Sequence, residues 1–146
     1  MRPDLLGNPF RNKHTRLQID GKVVKRLCAD GREALPDEYS ALLAGHGSVI
    51  THCFPHPPEG RYRHAFAWEG EILLRTLRAI REAGLQWLGV LHTHPATPPV
   101  PSAADRDGWH YPSLGYWILS FAGGHPDLRL YQMEDGRFHE RDYDVL

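Results

Sequence analysis

A mixed α/β (α+β) domain, one β-sheet with flanking helices, is the fold class this sequence predicts. Three observations carry it. Short apolar runs of strand length recur along the chain, two stretches place apolar residues at helical spacing, and Pro and Gly punctuate the gaps. At 146 residues the chain has the size of one domain. Folding at that length buries roughly 68–70% of the unfolded surface, so a core forms without staples.

Residues 1–14 hold two Pro, a Gly and several charges without any period. They read as an N-terminal extension, disordered or draped over the surface, ahead of a single domain at 15–146. Leu17 and Ile19 alternate with polar residues and give a short first strand. Val23, Val24, Leu27 and Cys28 recur near helical spacing between Gly21 and Ala34, and Pro36 ends that helix. Glu38–Gly45 and Ser48–Phe54 read as two strands joined at the tight turn Gly45-His46-Gly47. Pro55–Gly60 is a loop by composition, and His64–Trp68 is a further strand. Ile72, Leu73, Leu77 and Ile80 form one face of a helix over Glu71–Ala83, stopped by Gly84. Trp87–Leu91 is a near-continuous apolar run and so a buried central strand. Pro95–Pro101 is a loop, and Ser102–Trp109 opens a short helix. Gly115–Phe121 and Leu128–Met133 are strands, with a last one over Arg137–Val145.

Composition excludes several functions. Lys plus Arg is 17 against 18 Asp plus Glu, a net charge of -1. A dedicated nucleic-acid binder needs a basic face, so no nucleic-acid partner is expected. The start of the chain has no apolar signal region, and no run approaches the roughly 18 apolar residues of a membrane span. Cys28 and Cys53 form neither a disulfide framework nor a Cys-x-x-Cys knuckle. A reduced, cytoplasmic protein with no membrane partner is the expectation; a homodimer stays open.

The chemistry concentrates in His92-Thr93-His94-Pro95 and the loop after it. Strand side chains alternate with period two, so both imidazoles share one face at the end of the central strand. Seven residues separate His94 from Ser102, enough for the loop to return and set Asp105 beside them. Two His and one carboxylate leave a fourth tetrahedral position open, the layout of a catalytic zinc. Such a site needs a general base that is not a ligand. Glu38 is the candidate, because an acidic residue at the start of an apolar strand is costly without a partner. Each piece also has a plain structural reading. His-x-His is common, Ser102-x-x-Asp105 fits a helix capping box, and Glu38 fits a solvated charge at a strand start. Their coincidence is what points to metal chemistry.

His92-Thr-His94-Pro95 with Ser102-x-x-Asp105 resembles the zinc-site motif of the JAMM (JAB1/MPN/Mov34, MPN+) metalloprotease family. Pro36-Asp-Glu38-Tyr-Ser-Ala-Leu-Leu-Ala-Gly45 resembles that family's upstream glutamate segment, though Ala41 stands where the family usually has Gly. The resemblance spans about Leu17 to Met133 and implies an MPN/JAB, cytidine-deaminase-like fold. It implies a Zn2+ held by His92, His94 and Asp105, with Glu38 as general acid/base and Ser102 stabilising the oxyanion. It also implies an isopeptidase acting after the C-terminal glycine of a ubiquitin-like protein or a sulfur-carrier conjugate. The 41 residues after Asp105 leave no room for the insertion with which eukaryotic members hold ubiquitin. A smaller ubiquitin-like partner is therefore expected, its tail added as a strand along Cys53–Trp68. His52, His56 and His64 are candidates to line that groove, and His110 to support the ligands.

A non-catalytic MPN scaffold is the alternative, and it should lack a ligand or the glutamate. Other hydrolases fit worse. A histidine-triad enzyme needs His-x-His-x-His, and position 96 is Ala. A metallo-β-lactamase-type site needs more His and Asp just after His94. An amidohydrolase barrel needs about 250 residues.

Overall fold

The computed structural model describes residues 4–57 and 68–146. Its elements run β1 (Leu17–Ile19), α1 (Gly21–Ala34), β2 (Ser40–His46), β3 (Val49–Pro55), α2 (Gly70–Glu82), β4 (Gln86–His94), α3 (Ala103–Gly108), β5 (Gly115–Ser120), β6 (Asp127–Glu134), β7 (Arg137–Arg141) and β8 (Tyr143–Val145). The strands form one sheet in the order β7-β6-β5-β4-β2-β3-β1-β8. The expected mixed sheet with helices is thus observed. The strand expected over His64–Trp68 lies outside the described residues, apart from Trp68.

Local chemistry sets the helix ends. Asp20 caps α1, its carboxylate accepting the Lys22 N–H at 2.8 Å. α2 stops as expected at Gly84, whose φ of 75° a side chain would resist. Leu85 then donates back to the Ile80 carbonyl at 3.1 Å, closing the last turn. The β2–β3 hairpin turns at Gly47-Ser48, slightly later than expected. Gly45 sits instead at a register shift in the hairpin. A Cβ there would fall 1.9 Å from the Val49 carbonyl oxygen, so the backbones approach as only glycine permits.

β4 lies in the middle of the sheet, antiparallel to β2 and parallel to β5. Its residues 87–91 are all buried. On one face Leu43, Leu91, Trp117, Leu119 and Leu130 pack with Val23 and Leu27 of α1. On the other, Leu42, Val90, Tyr116, Ile118 and Tyr131 pack with Ile80 of α2. Before β4 meets β5, its free side is taken by the chain start. Leu5 O accepts from Trp87 N–H at 2.7 Å, and Gly7 N–H donates to Trp87 O at 3.0 Å.

The single strand expected over Arg137–Val145 is two strands. β7 pairs with β6 and β8 pairs with β1, at opposite ends of the sheet order. Only Asp142 lies between them, so the sheet must curl until its two edges nearly meet. Tyr143 spans the seam. Its ring packs edge-on against Trp117 at 4.8 Å, and its hydroxyl donates to Leu128 O at 2.6 Å. No helix among the described residues is long and apolar enough to cross a membrane.

Close approach of β4 and β5 is the feature most sensitive to a single methyl. A Cβ on Gly89 would lie 2.6 Å from the Gly115 carbonyl oxygen, which is backbone and cannot swing away. Gly89→Ala should therefore cost about 1–3 kcal/mol of stability, read as a lower denaturation midpoint. An unchanged midpoint would show that the two strands separate freely.

Candidate metal centre

β4 carries His92 and His94 to its C-terminal end on the face that α2 covers. The neighbouring strands are in register there, with His92 beside Ile118, His94 beside Ser120, and Ser40 beside His92 on the other side. The loop after His94 leads into α3, which presents Asp105 from its first turn. A capping box sets that turn. Ser102 Oγ accepts the Asp105 N–H at 3.1 Å, and Asp105 Oδ2 accepts the Ser102 N–H at 2.7 Å. The capping reading of this motif and its placement of a ligand are one arrangement.

Three donor groups converge. The Nε2 atoms of His92 and His94 lie 3.2 Å apart. Asp105 Oδ1 is 2.9 Å from His92 Nε2, and Oδ2 is 3.4 Å from His94 Nε2. His92, His94 and Asp105 are the group among the described residues able to hold a metal ion. Tetrahedral zinc with bonds of about 2.0–2.1 Å sets its ligand atoms about 3.3 Å apart, so the observed spacings fit it. The donor set, two imidazoles and a carboxylate, also suits zinc. His94 Nδ1 lies 2.8 Å from the Pro98 carbonyl oxygen. A carbonyl only accepts, so Nδ1 carries a hydrogen, and when the ring is neutral its lone pair is on Nε2, facing the centre.

Electrostatics agree with the geometry. Burial works to raise the Asp105 pKa, but hydrogen bonds from His92 and His94 outweigh it and hold the carboxyl well below the usual carboxylate range. For His94, burial works to lower the pKa, yet the bonds to Asp105 and Pro98 and the charges of Asp105 and Glu38 raise it overall. Tyr116 was not foreseen from the sequence. Its hydroxyl donates to Asp105 Oδ1 at 2.8 Å, and its ring lies 4.9 Å from that of His92. Burial first, then the Asp105 charge, pushes its pKa far up, so it stays a neutral donor. Strand alternation puts Tyr116 on the face of the histidines, but the register that brings it to Asp105 is not local information.

Glu38 lies two residues before β2 and is exposed. The cost of burying a charge is therefore not what marks it. Its position comes from Tyr39, whose N–H donates to Thr93 Oγ1 at 2.8 Å and whose carbonyl accepts the Thr93 N–H at 2.9 Å. These bonds extend the β2–β4 pairing to Tyr39, and they leave Glu38 near enough for its charge to raise the His94 pKa. Ser102 is also exposed, at the N-cap of α3. The capping box uses its oxygen as acceptor and leaves its hydrogen to donate. Ala41 is fully buried in the α1-side core, so its methyl points away from the site. Ser40 faces the site, its hydroxyl bonded to Leu91 O and accepting from Trp68 Nε1. His56 is buried against Trp68. His52 and His110 are exposed, and His64 lies outside the described residues.

Residues 21–133 match the family described as prokaryotic homologs of the JAB domain. A desampylase of Haloferax volcanii is 32% identical over 119 residues, covering 71% of this chain and 82% of that protein. A solution structure from Desulfitobacterium hafniense superposes with a TM-score of 0.77 at 27% identity, over 89% of this chain and 92% of that one. A structure described as a JAMM metalloprotease-like zinc site superposes with a TM-score of 0.60 at 18% identity, over 90% of this chain and 99% of that one.

The shifted His94 gives the metal-free protein a pH signature. A group whose folded pKa is raised adds stability below its unfolded value, and that stability is lost as pH rises through the folded pKa. Asp105 stays ionised across this window and adds no slope. The melting temperature of metal-free protein should fall as pH rises past the ordinary imidazole value of about 6.5, and His94→Gln should flatten that fall. With zinc present the trend reverses, because the ligands must be deprotonated to bind. A metal-free protein that gains stability over the same range would contradict the assignment.

Proposed function

The chain belongs to the prokaryotic homologues of the JAB domain, and from that premise we propose that it is a zinc-dependent isopeptidase. It hydrolyses the bond after the C-terminal glycine of a ubiquitin-like or sulfur-carrier protein. The convergence of His92, His94 and Asp105 at ligand spacing, with Glu38 near enough for its charge to act on His94, is the observation that carries this reading. The likeness to a desampylase supports the substrate class. The free cysteines Cys28 and Cys53 agree with a cytoplasmic setting.

His92, His94 and Asp105 would hold the metal, which supplies Lewis-acid activation of water when bound. The chain's own residues do the rest. Asp105 is kept ionised by its contacts with His92 and His94 and oriented by Tyr116 and the Ser102 backbone, so it can serve as a ligand rather than a base. Glu38 is the base. It takes a proton from the attacking water and delivers it to the leaving amine, which then departs as a neutral group. Ser102 Oγ donates to the scissile carbonyl oxygen as charge grows there. The substrate's paired glycines lack Cβ atoms, which lets the scissile carbonyl come close to the centre. Only residues 109–114 join α3 to β5, so the segment after the metal motif offers no large element with which to clasp ubiquitin.

Purified protein should hold about one zinc per chain, and His92→Ala or His94→Ala should abolish this. Glu38→Gln should keep its zinc and lose at least the 10²–10⁴-fold, roughly, of general acid–base catalysis. Ser102→Ala should keep zinc with a loss on the order of 10–10³-fold. Full turnover by Glu38→Gln, or loss of its zinc, would remove Glu38 from the mechanism.

Specificity is read with three fusions of identical reporter, carrying ubiquitin, a sulfur carrier ending in Gly-Gly, or that carrier ending in Ala-Ala. The Gly-Gly carrier should be cut best and the Ala-Ala carrier hardly at all. Equal cleavage of the two carriers, or preference for ubiquitin, would overturn the substrate assignment.

A further inference from the structure

We infer that Ser120 and Tyr131 are positioning residues for the metal centre. They lock the loop after β4 so that the Pro98 carbonyl holds His94 in the tautomer able to ligate. The inference rests on the metal-centre reading above.

The loop 95–101 contains Pro95, Pro98, Pro99 and Pro101. Each proline lacks an N–H, so the loop has few donors with which to fix itself. It is held from outside instead, at three consecutive carbonyls. Ser120 Oγ donates to Thr97 O at 2.6 Å, His94 Nδ1 donates to Pro98 O at 2.8 Å, and the Tyr131 hydroxyl donates to Pro99 O. Pro98 O also takes the Val100 N–H at 2.8 Å, so both of its lone pairs are used.

The two outer pins come from the rigid part of the sheet. Ser120 is 1% and Tyr131 6% exposed. Ser120 is the strand neighbour of His94 itself. Its oxygen accepts the Ala122 N–H at 3.1 Å, which directs its single hydrogen towards Thr97. Tyr131 is the β6 neighbour of Tyr116, the residue that holds Asp105. One register thus fixes the carboxylate ligand and the loop that orients the imidazole ligand.

A neutral imidazole has two tautomers, and only the one with hydrogen on Nδ1 presents Nε2 to a metal. The bond to Pro98 O selects it. A loop free to shift would weaken that bond and let the other tautomer compete, with its hydrogen pointing into the centre. The side-chain hydrogen bonds that Ser120 and Tyr131 donate go to the loop and not to the three ligand groups, so the effect passes through the loop.

Ser120→Ala, Tyr131→Phe and the double variant test this, with Tyr143→Phe as control. Tyr143 makes the same kind of bond, hydroxyl to backbone carbonyl, at the seam of the sheet. Zinc affinity is measured by competition with a chelating dye, and the His94 tautomer by nitrogen NMR on metal-free protein. Each single variant should bind zinc about 10-fold more weakly and the double up to about 100-fold. The share of His94 protonated on Nδ1 should fall in step, while Tyr143→Phe changes neither. Unchanged affinity and tautomer in the double variant, or an equal fall in Tyr143→Phe, overturns the inference. Wild-type protein that takes up no zinc would instead sink the metal-centre reading, and the tautomer alone would then decide on the lock.

Discussion

A half-buried carboxylate beside two imidazoles is tolerable only when its oxygens are satisfied. Asp105 meets that condition with four partners. Oδ1 faces the Tyr116 hydroxyl and His92 Nε2, and Oδ2 faces the Ser102 N–H and His94 Nε2. Those partners come from β4, β5 and the start of α3, so one side chain ties three elements together. A cation would replace the two imidazole contacts and leave the other two in place. The hydroxyl and the backbone N–H therefore orient the carboxylate with or without metal, and the centre needs little rearrangement to fill.

How much of this the sequence discloses depends on how local the cause is. His92 and His94 share a face because a strand alternates with period two, and that holds for any strand. Asp105 is readable because its loop is short and its Ser-x-x-Asp cap is a local signal. Tyr116 is not readable. Its place at Asp105 follows from the parallel register of β4 and β5, which no nearby residue encodes. The same distinction explains the last strand. Nothing in Arg137–Val145 marks Asp142 as the point where the chain leaves one edge of the sheet for the other. That switch exists only because the whole sheet curls.

The argument that singled out Glu38 from the sequence is not one the structure shares. Its residue type and place were legible, but the burial cost invoked for it does not apply to an exposed side chain. What holds it is the backbone of Tyr39, bonded on both sides to Thr93. Thr93 is fully buried between the two metal-site histidines, and its side chain points to the opposite face from theirs. The residue that separates His92 from His94 in sequence thus becomes the anchor for the backbone beside Glu38. A threonine supplies what valine, of like shape, cannot: an acceptor for the Tyr39 N–H, whose loss would leave a buried donor unpaired.

The centre is consequently asymmetric. On the β5 side, ligands and loop are fixed by buried side-chain bonds, Tyr116 to Asp105 and His94 to Pro98. On the β2 side, Glu38 is fixed only through its backbone, and its side chain stays in solvent. The two sides have different tasks. A ligand that moves loses metal affinity, so its orientation has to be set in advance. In the proposed mechanism a base must reach first the water and then the leaving amine, which lie in different places, so the exposed Glu38 would gain from rotamer freedom that a ligand could not have. The same division makes the chemistry separable from the metal. Changing Glu38 disturbs no bond that orients His92, His94 or Asp105, whereas changing Tyr116 or the loop acts on the ligands before it acts on any proton transfer.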